Sequence, residues 1–242
     1  LKLGLILVLA QILGHYKDEL WDFNTGAKQV LVYGFGSAGL VYLTSRDMGT
    51  AIIFISIILG MCLLAGMPWV HLNKLVAITV IGGLVGALAN TSRINRIIAF
   101  FQQGQSEIDG ADWQVKHGIW ALANGGVFGV GPGNSTLNWG WIPEVENDFI
   151  FSVVGEEVGL LGAVVVLVLF FMLARYIRRV SLNSTTTFGA VAVTGVMLWI
   201  TIQACINIAV VLGLFPVIGV PLPLFSKGGS SMLAVLMALG VV

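Results

Sequence analysis

The chain is built from long uncharged apolar runs separated by short polar connectors. The runs cover residues 3–15, 29–45, 48–66, 75–90, 149–174, 187–213 and 228–242. A helix that crosses a bilayer needs about 20 mostly apolar residues. The pattern therefore predicts an all-α polytopic membrane protein with about seven transmembrane helices, the first of them short. One connector is exceptional: residues 91–148 form a single long loop, and long loops usually carry function.

If all seven runs cross, successive ends alternate sides. Asp47, the 91–148 loop and Lys227 then face one compartment, and residues 16–28, 67–74 and 175–186 face the other. The densest basic cluster, Arg175, Arg178 and Arg179, belongs in the cytoplasm by the positive-inside rule, which places Asp47, Asp148 and Lys227 outside. Six Lys or Arg fall on each side in the full count, so the cluster rather than the total sets this orientation. The acids are lopsided: Asp18, Glu19 and Asp22 lie inside, and the other nine lie on or near the outer face. Acidic residues contribute little to topology, so this asymmetry points to chemistry.

Composition agrees with the pattern. Of 242 residues, 57% are hydrophobic and 10% charged, against roughly 25% charged in soluble domains, and the mean hydropathy is +0.95. Twelve Lys and Arg balance twelve Asp and Glu, so there is no basic field for nucleic acid. Cys62 and Cys205 sit inside apolar runs, where a thiol behaves as a small hydrophobe. His15, His71 and His117 lack metal-ligand spacing, and no metal site is expected. The chain starts at Leu1 directly in an apolar run, without an initiator Met, a basic n-region or a cleavage site, and is expected to be an N-terminally truncated stretch.

Five carboxylates, Glu144, Glu146, Asp148, Glu156 and Glu157, fall within fourteen residues at the start of the 149–174 run. Ionisable groups inside a membrane are costly and suggest function by default. Asp148 lies where the helix begins, and Glu156 lies roughly 12 Å further along it at the α-helical rise. Asn147 or Asp148 could simply cap the helix, but a cap accounts for one acid and not five. Glu156 and Glu157 point about 100° apart and are structural or proton-relay candidates.

Three further stretches stand out. Residues 123–133 follow Trp113–His117 and place five glycines within nine residues, which suits either a phosphate cradle or tight packing beside a re-entrant turn. Residues 216–231 interrupt an apolar region with prolines, glycines, hydroxyls and Lys227; such irregular backbone is tolerated at membrane depth only when buried in protein or lining a wet cavity. Arg46 and Asp47 form a charged pair between two runs.

These stretches resemble the SEDS (RodA/FtsW/SpoVE) family, whose members carry Gln-Pro-Asp-Leu-Gly-Thr, a Gln-rich stretch leading into Gly-Gly-x-x-Gly-x-Gly, Leu-Pro-Glu-x-His-Thr-Asp-Phe-Ile-Phe with Gly-Glu-Glu, and Pro-Leu-Pro-Phe-x-Ser-Tyr-Gly-Gly-Ser. The counterparts are Ser45–Thr50, Gln114–Gly131, Ile142–Glu157 and Pro221–Ser230, in the same order. Arg93 and Arg96 before Phe100, and Gln203 with Asn207, extend the likeness. Ser45-Arg46 replaces the family's Gln-Pro, Glu146-Asn147 its His-Thr, and Lys227 its Tyr.

The resemblance implies a ten-helix fold of which residues 1–242 form the fourth to tenth spans as one membrane domain, with the 91–148 loop outside the cytoplasm. It implies a multi-pass protein of the bacterial inner membrane that polymerises lipid II into glycan strands during elongation or division, with a class B penicillin-binding protein and membrane lipids as partners. The family's essential Asp falls on Asp148, the expected general base. Charge and side make Glu144, Lys227, Lys116, Arg93, Arg96 and Asp47 substrate-binding candidates. No cofactor is called for, and a divalent cation is left open. The alternatives are a flippase for the lipid-linked precursor, which shares intramembrane acids and broken helices, and a non-catalytic scaffold for a penicillin-binding protein.

Overall fold

A computed structural model describes residues 1–16, 28–45, 47–88, 111–136 and 145–242, with side chains described for all of these except 44, 45, 48, 84–88, 111, 112, 145 and 146. The described residues are helical with no strand: α1 (Lys2–His15), a π-helical turn (Val30–Phe35) running into α2 (Gly36–Ser45), α3 (Met48–Leu64), α4 (Trp69–Leu88), α5 (Ala111–Gly125), α6 (Val145–Asp148), α7 (Ile150–Leu182), α8 (Thr187–Val211) and α9 (Gly229–Val241).

All seven apolar runs form helices, and α7 and α8 are each long and apolar enough to cross a membrane. Three expectations change. Helix α4 starts at Trp69 and takes in Lys74, because α3 stops abruptly. Gly66 at φ 86° donates to Leu63 O and Met67 donates to Cys62 O, a Schellman stop, and Pro68 then accepts from His71 and Leu72. Helix α7 continues to Leu182, so Arg175, Arg178 and Arg179 occupy its last turns, where cations suit the negative end of the dipole, rather than a connector. The long 91–148 loop contains α5 and α6.

The chain forms two compact units. The first comprises residues 1–85, 173–202 and 233–242, and its core includes Leu9 and Leu13 of α1, Phe54, Ile57 and Met61 of α3, and Val196 and Trp199 of α8. Glycines permit close approach here. A Cβ on Gly195 would lie 2.5 Å from Ile6 Cγ2 and 2.9 Å from Met61 Sδ, the small-residue contact by which membrane helices pack. Asp47 caps α3: Oδ1 accepts from Gly49 N at 2.8 Å and Oδ2 from Thr50 Oγ1.

The second unit comprises residues 86–172 and 203–232. Its core joins Ala121 of α5, Phe149 between α6 and α7, Phe151, Val153 and Val166 of α7, Ile208 and Val211 of α8, and Leu222 of the irregular stretch. Helix α8 ends in a second Schellman stop, with Gly213 at φ 69° donating to Val210 O and Leu214 to Ala209 O.

Candidate active site

The acid-rich stretch begins as the single turn α6, bends at Phe149 and continues as α7. Phe149 is buried and packs against α5 at Gly118, where an added Cβ would meet its ring at 2.9 Å. This anchors the bend and leaves Asp148, just before it, half-buried.

The backbone of α6 is held by side chains from elsewhere in the unit. Asn207 Nδ2 donates to Asp148 O at 2.8 Å and to Val220 O at 2.7 Å. Gln203 Nε2, one helical turn earlier on α8, donates to Pro221 O at 2.8 Å. Ser226 Oγ donates to Asn147 O at 2.6 Å. Asn207, Gln203 and Ser226 are all buried. An unpaired carbonyl in a low-dielectric interior costs several kcal/mol, so these amides make the broken 216–228 backbone tenable and fasten it to α6. Gly219, at φ 69°, runs beside the acid: a Cβ there would be 3.7 Å from Asp148 Oδ2. The same irregular stretch holds Leu224 at φ 65°, a conformation that costs a branched residue about 1–2 kcal/mol and persists only where its surroundings impose it.

The glycine-rich stretch serves a different purpose from a phosphate cradle. Helix α7 breaks at Gly159 (φ 76°, ψ −169°), which separates Glu156 O from Leu160 N and Glu157 O from Leu161 N. The loop satisfies all four groups. Val130 N donates to Glu156 O and Gly131 N to Glu157 O, both at 3.0 Å, while Leu160 N donates to Gly126 O at 2.9 Å and Leu161 N to Val127 O at 3.3 Å. The amides that would have faced a phosphate are spent on the broken helix. Glycine is required by proximity: a Cβ on Gly129 would lie 2.1 Å from Glu157 O.

The Glu156 carboxylate fixes the same junction. It is fully buried and accepts from Asn124 Nδ2 at 3.0 Å, Ser135 Oγ at 2.6 Å, Thr136 N at 3.1 Å and Thr136 Oγ1 at 2.6 Å. Four donors saturate an ionised acceptor of this kind. Glu157 is half-buried.

The candidate cations sit on segments docked at the bend. Lys116 is half-buried on α5, two residues before Gly118, and Lys227 is exposed, directly after the Ser226 tether. His117 contacts the tilted rings of Trp113 and Trp120, with centroids at 3.9 and 4.9 Å. Asp47 belongs to the first unit, as the α3 cap. Glu144, Arg93 and Arg96 lie outside the described residues, as does the side chain of Glu146. The tethering roles of Gln203, Asn207 and Ser226 were missed from sequence; the available signal was isolated amides in an otherwise apolar helix.

Apolar helices with two irregular backbone segments, one tied to the start of the acid-rich helix through Asn207 and Ser226 and the other docked at its break at Gly159, define a polytopic membrane protein with an internal polar site. A profile of the family described as "Cell cycle protein" (FtsW, RodA and SpoVE) matches residues 1–242. Stage V sporulation protein E of Bacillus subtilis (strain 168) is 34% identical over 241 residues, covering 100% of this chain and 65% of that protein. The probable peptidoglycan glycosyltransferase FtsW of Coxiella burnetii (strain RSA 493 / Nine Mile phase I) is 35% identical over 249 residues, covering 100% and 65%. Among solved structures, a chain of a peptidoglycan synthase complex matches with a TM-score of 0.80 at 26% identity, covering 99% of this chain and 66% of that one. The crystal structure of Thermus thermophilus RodA matches with a TM-score of 0.64 at 25% identity, covering 100% and 62%. The chain belongs to the FtsW/RodA/SpoVE family, as its ordered motifs implied, and spans about 65% of the length of these curated relatives.

Proposed function

We propose that this protein is a peptidoglycan glycosyltransferase: a multi-pass enzyme of the bacterial inner membrane that polymerises lipid II on the extracytoplasmic face, alongside a class B penicillin-binding protein, during elongation or division. The observation that carries this reading is Asp148. It stands half-buried on a turn clamped by Asn207 and Ser226, in a chain matched along its full length by relatives named probable peptidoglycan glycosyltransferase FtsW.

Asp148 acts as general base. As the acceptor sugar hydroxyl attacks the anomeric carbon of the donor, the carboxylate takes the hydroxyl proton; the new C–O bond forms as the bond to the diphosphate breaks, and the electron pair leaves on undecaprenyl diphosphate. Lys116, two residues before the Gly118 contact, and Lys227, directly after the Ser226 tether, are assigned to supply positive charge to that leaving group. Arg93, Arg96 and Glu144 are assigned to substrate on charge and side alone. Saturation by four donors supports Glu156 as a structural anchor over a proton relay, and the capping geometry supports a structural Asp47.

The test is reconstitution of the full-length protein in liposomes with its penicillin-binding protein and lipid II, with glycan length and lipid translocation read on the same vesicles. Strands made from lipid II are expected. Translocation without strands would contradict the enzyme reading in favour of a flippase.

A further inference from the structure

The first unit contains a cavity of about 610 Å³ where the end of α3, the end of α7 and the first turns of α8 meet. That volume lies within the roughly 300–1,000 Å³ of small-molecule sites. Its lining is amphiphilic: Arg178 and Ser184 on one hand, and Met61, Leu64, Val191 and Met197 on the other. The wall is fixed internally. Ser181 Oγ donates to Ala190 O at 2.9 Å and lies 2.8 Å from Thr194 Oγ1, so the polar contact left for an occupant comes chiefly from the Arg178 guanidinium.

That guanidinium has no acidic counterpart among the described residues of this unit. Asp47 is the sole acid described there, and it caps the opposite end of α3 with both oxygens engaged. Arg175 and Arg179 flank Arg178, and all three are exposed. Apolar surface also runs outward from the cavity, since its lining residues Leu64 and Leu182 are 57% and 73% exposed. A free anion has no use for that surface, whereas an amphiphile uses both parts. We propose that the cavity binds the phosphate headgroup of an anionic glycerophospholipid, with Arg178 pairing the phosphate through its planar fork and the acyl chains leaving past Leu64 and Leu182. Basic pockets between membrane helices hold such headgroups.

The probes are phosphatidylglycerol and phosphatidylcholine with identical chains, titrated into the full-length protein and read by native mass spectrometry. Phosphatidylglycerol should be retained about tenfold more tightly: both lipids carry the phosphate, but the quaternary ammonium of phosphatidylcholine offsets its charge and brings a like charge to the three arginines. Arg178→Gln should remove the preference, and so should Val191→Trp, which obstructs the cavity beside Arg178 and leaves all three arginines in place. Arg175→Gln, outside the lining, should keep most of it. Equal retention of the two lipids would overturn the proposal. So would a preference that survives Val191→Trp, an equal loss in the two arginine variants, or displacement of phosphatidylglycerol by inorganic phosphate.

Discussion

Asn207 is a single amide whose Nδ2 group joins Asp148 O to Val220 O. Its truncation removes both bonds and lets the α6 turn drift. Small misplacements of a reacting group cost up to about 100-fold in rate. Asn207→Ala should therefore lower the turnover of lipid II by roughly 10- to 100-fold while KM changes less than about threefold, as measured by initial-rate polymerisation. Glu156 makes a different prediction. Glu156→Gln exchanges one acceptor oxygen for a donor facing donors, and should cost on the order of 2 kcal/mol, visible as a lower melting temperature in detergent; an unchanged melt would contradict the anchoring role. Both side chains illustrate what a sequence conceals. The isolated amides of α8 are visible in the chain, but their partners, the carbonyls at 148, 220 and 221, belong to backbone distant in sequence and carry no side-chain signature.

The broken helix α7 is the element on which the site rests, and two glycines separate the sources of its strain. Gly126 has φ 53° and open space around it, whereas Gly159 has φ 76° and would place a Cβ 2.4 Å from Gly129 N and 2.5 Å from Val127 O. Gly126→Ala should cost about 1 kcal/mol, and Gly159→Ala about 3 kcal/mol or more; ranking the two by thermal melts in one detergent checks this, and equal shifts would refute the docked-break geometry. The apolar runs disclosed seven helices, of which α7 and α8 are long and apolar enough to cross a membrane, because a chain in lipid must satisfy its backbone within helices. The break at Gly159 was invisible because Val158 to Leu169 reads as uninterrupted apolar chain. Helix α5 was hidden for the opposite reason: Asp112, Gln114, Lys116 and His117 interrupt its hydropathy, although Gly118 and Ala121 form the face that packs on the core.

At the scale of the whole molecule, the reading requires that Lys227 and the arginines ending α7 face opposite compartments. Single cysteines at 227 and 179, in a background carrying Cys205→Ser because Cys205 is exposed, should react with a membrane-impermeant thiol reagent from outside and only after permeabilisation, respectively; the reverse pattern would invert the topology. The family was legible from four ordered motifs, since each places uncommon residues in membrane-embedded sequence. The most direct test of the central claim is polymerisation of lipid II by full-length Asp148→Asn, reconstituted with the proposed penicillin-binding protein partner beside the unaltered protein. Loss of glycan strands with partner binding retained is the predicted result. Strands made at the unaltered rate would show that the proton leaves the acceptor hydroxyl by another route.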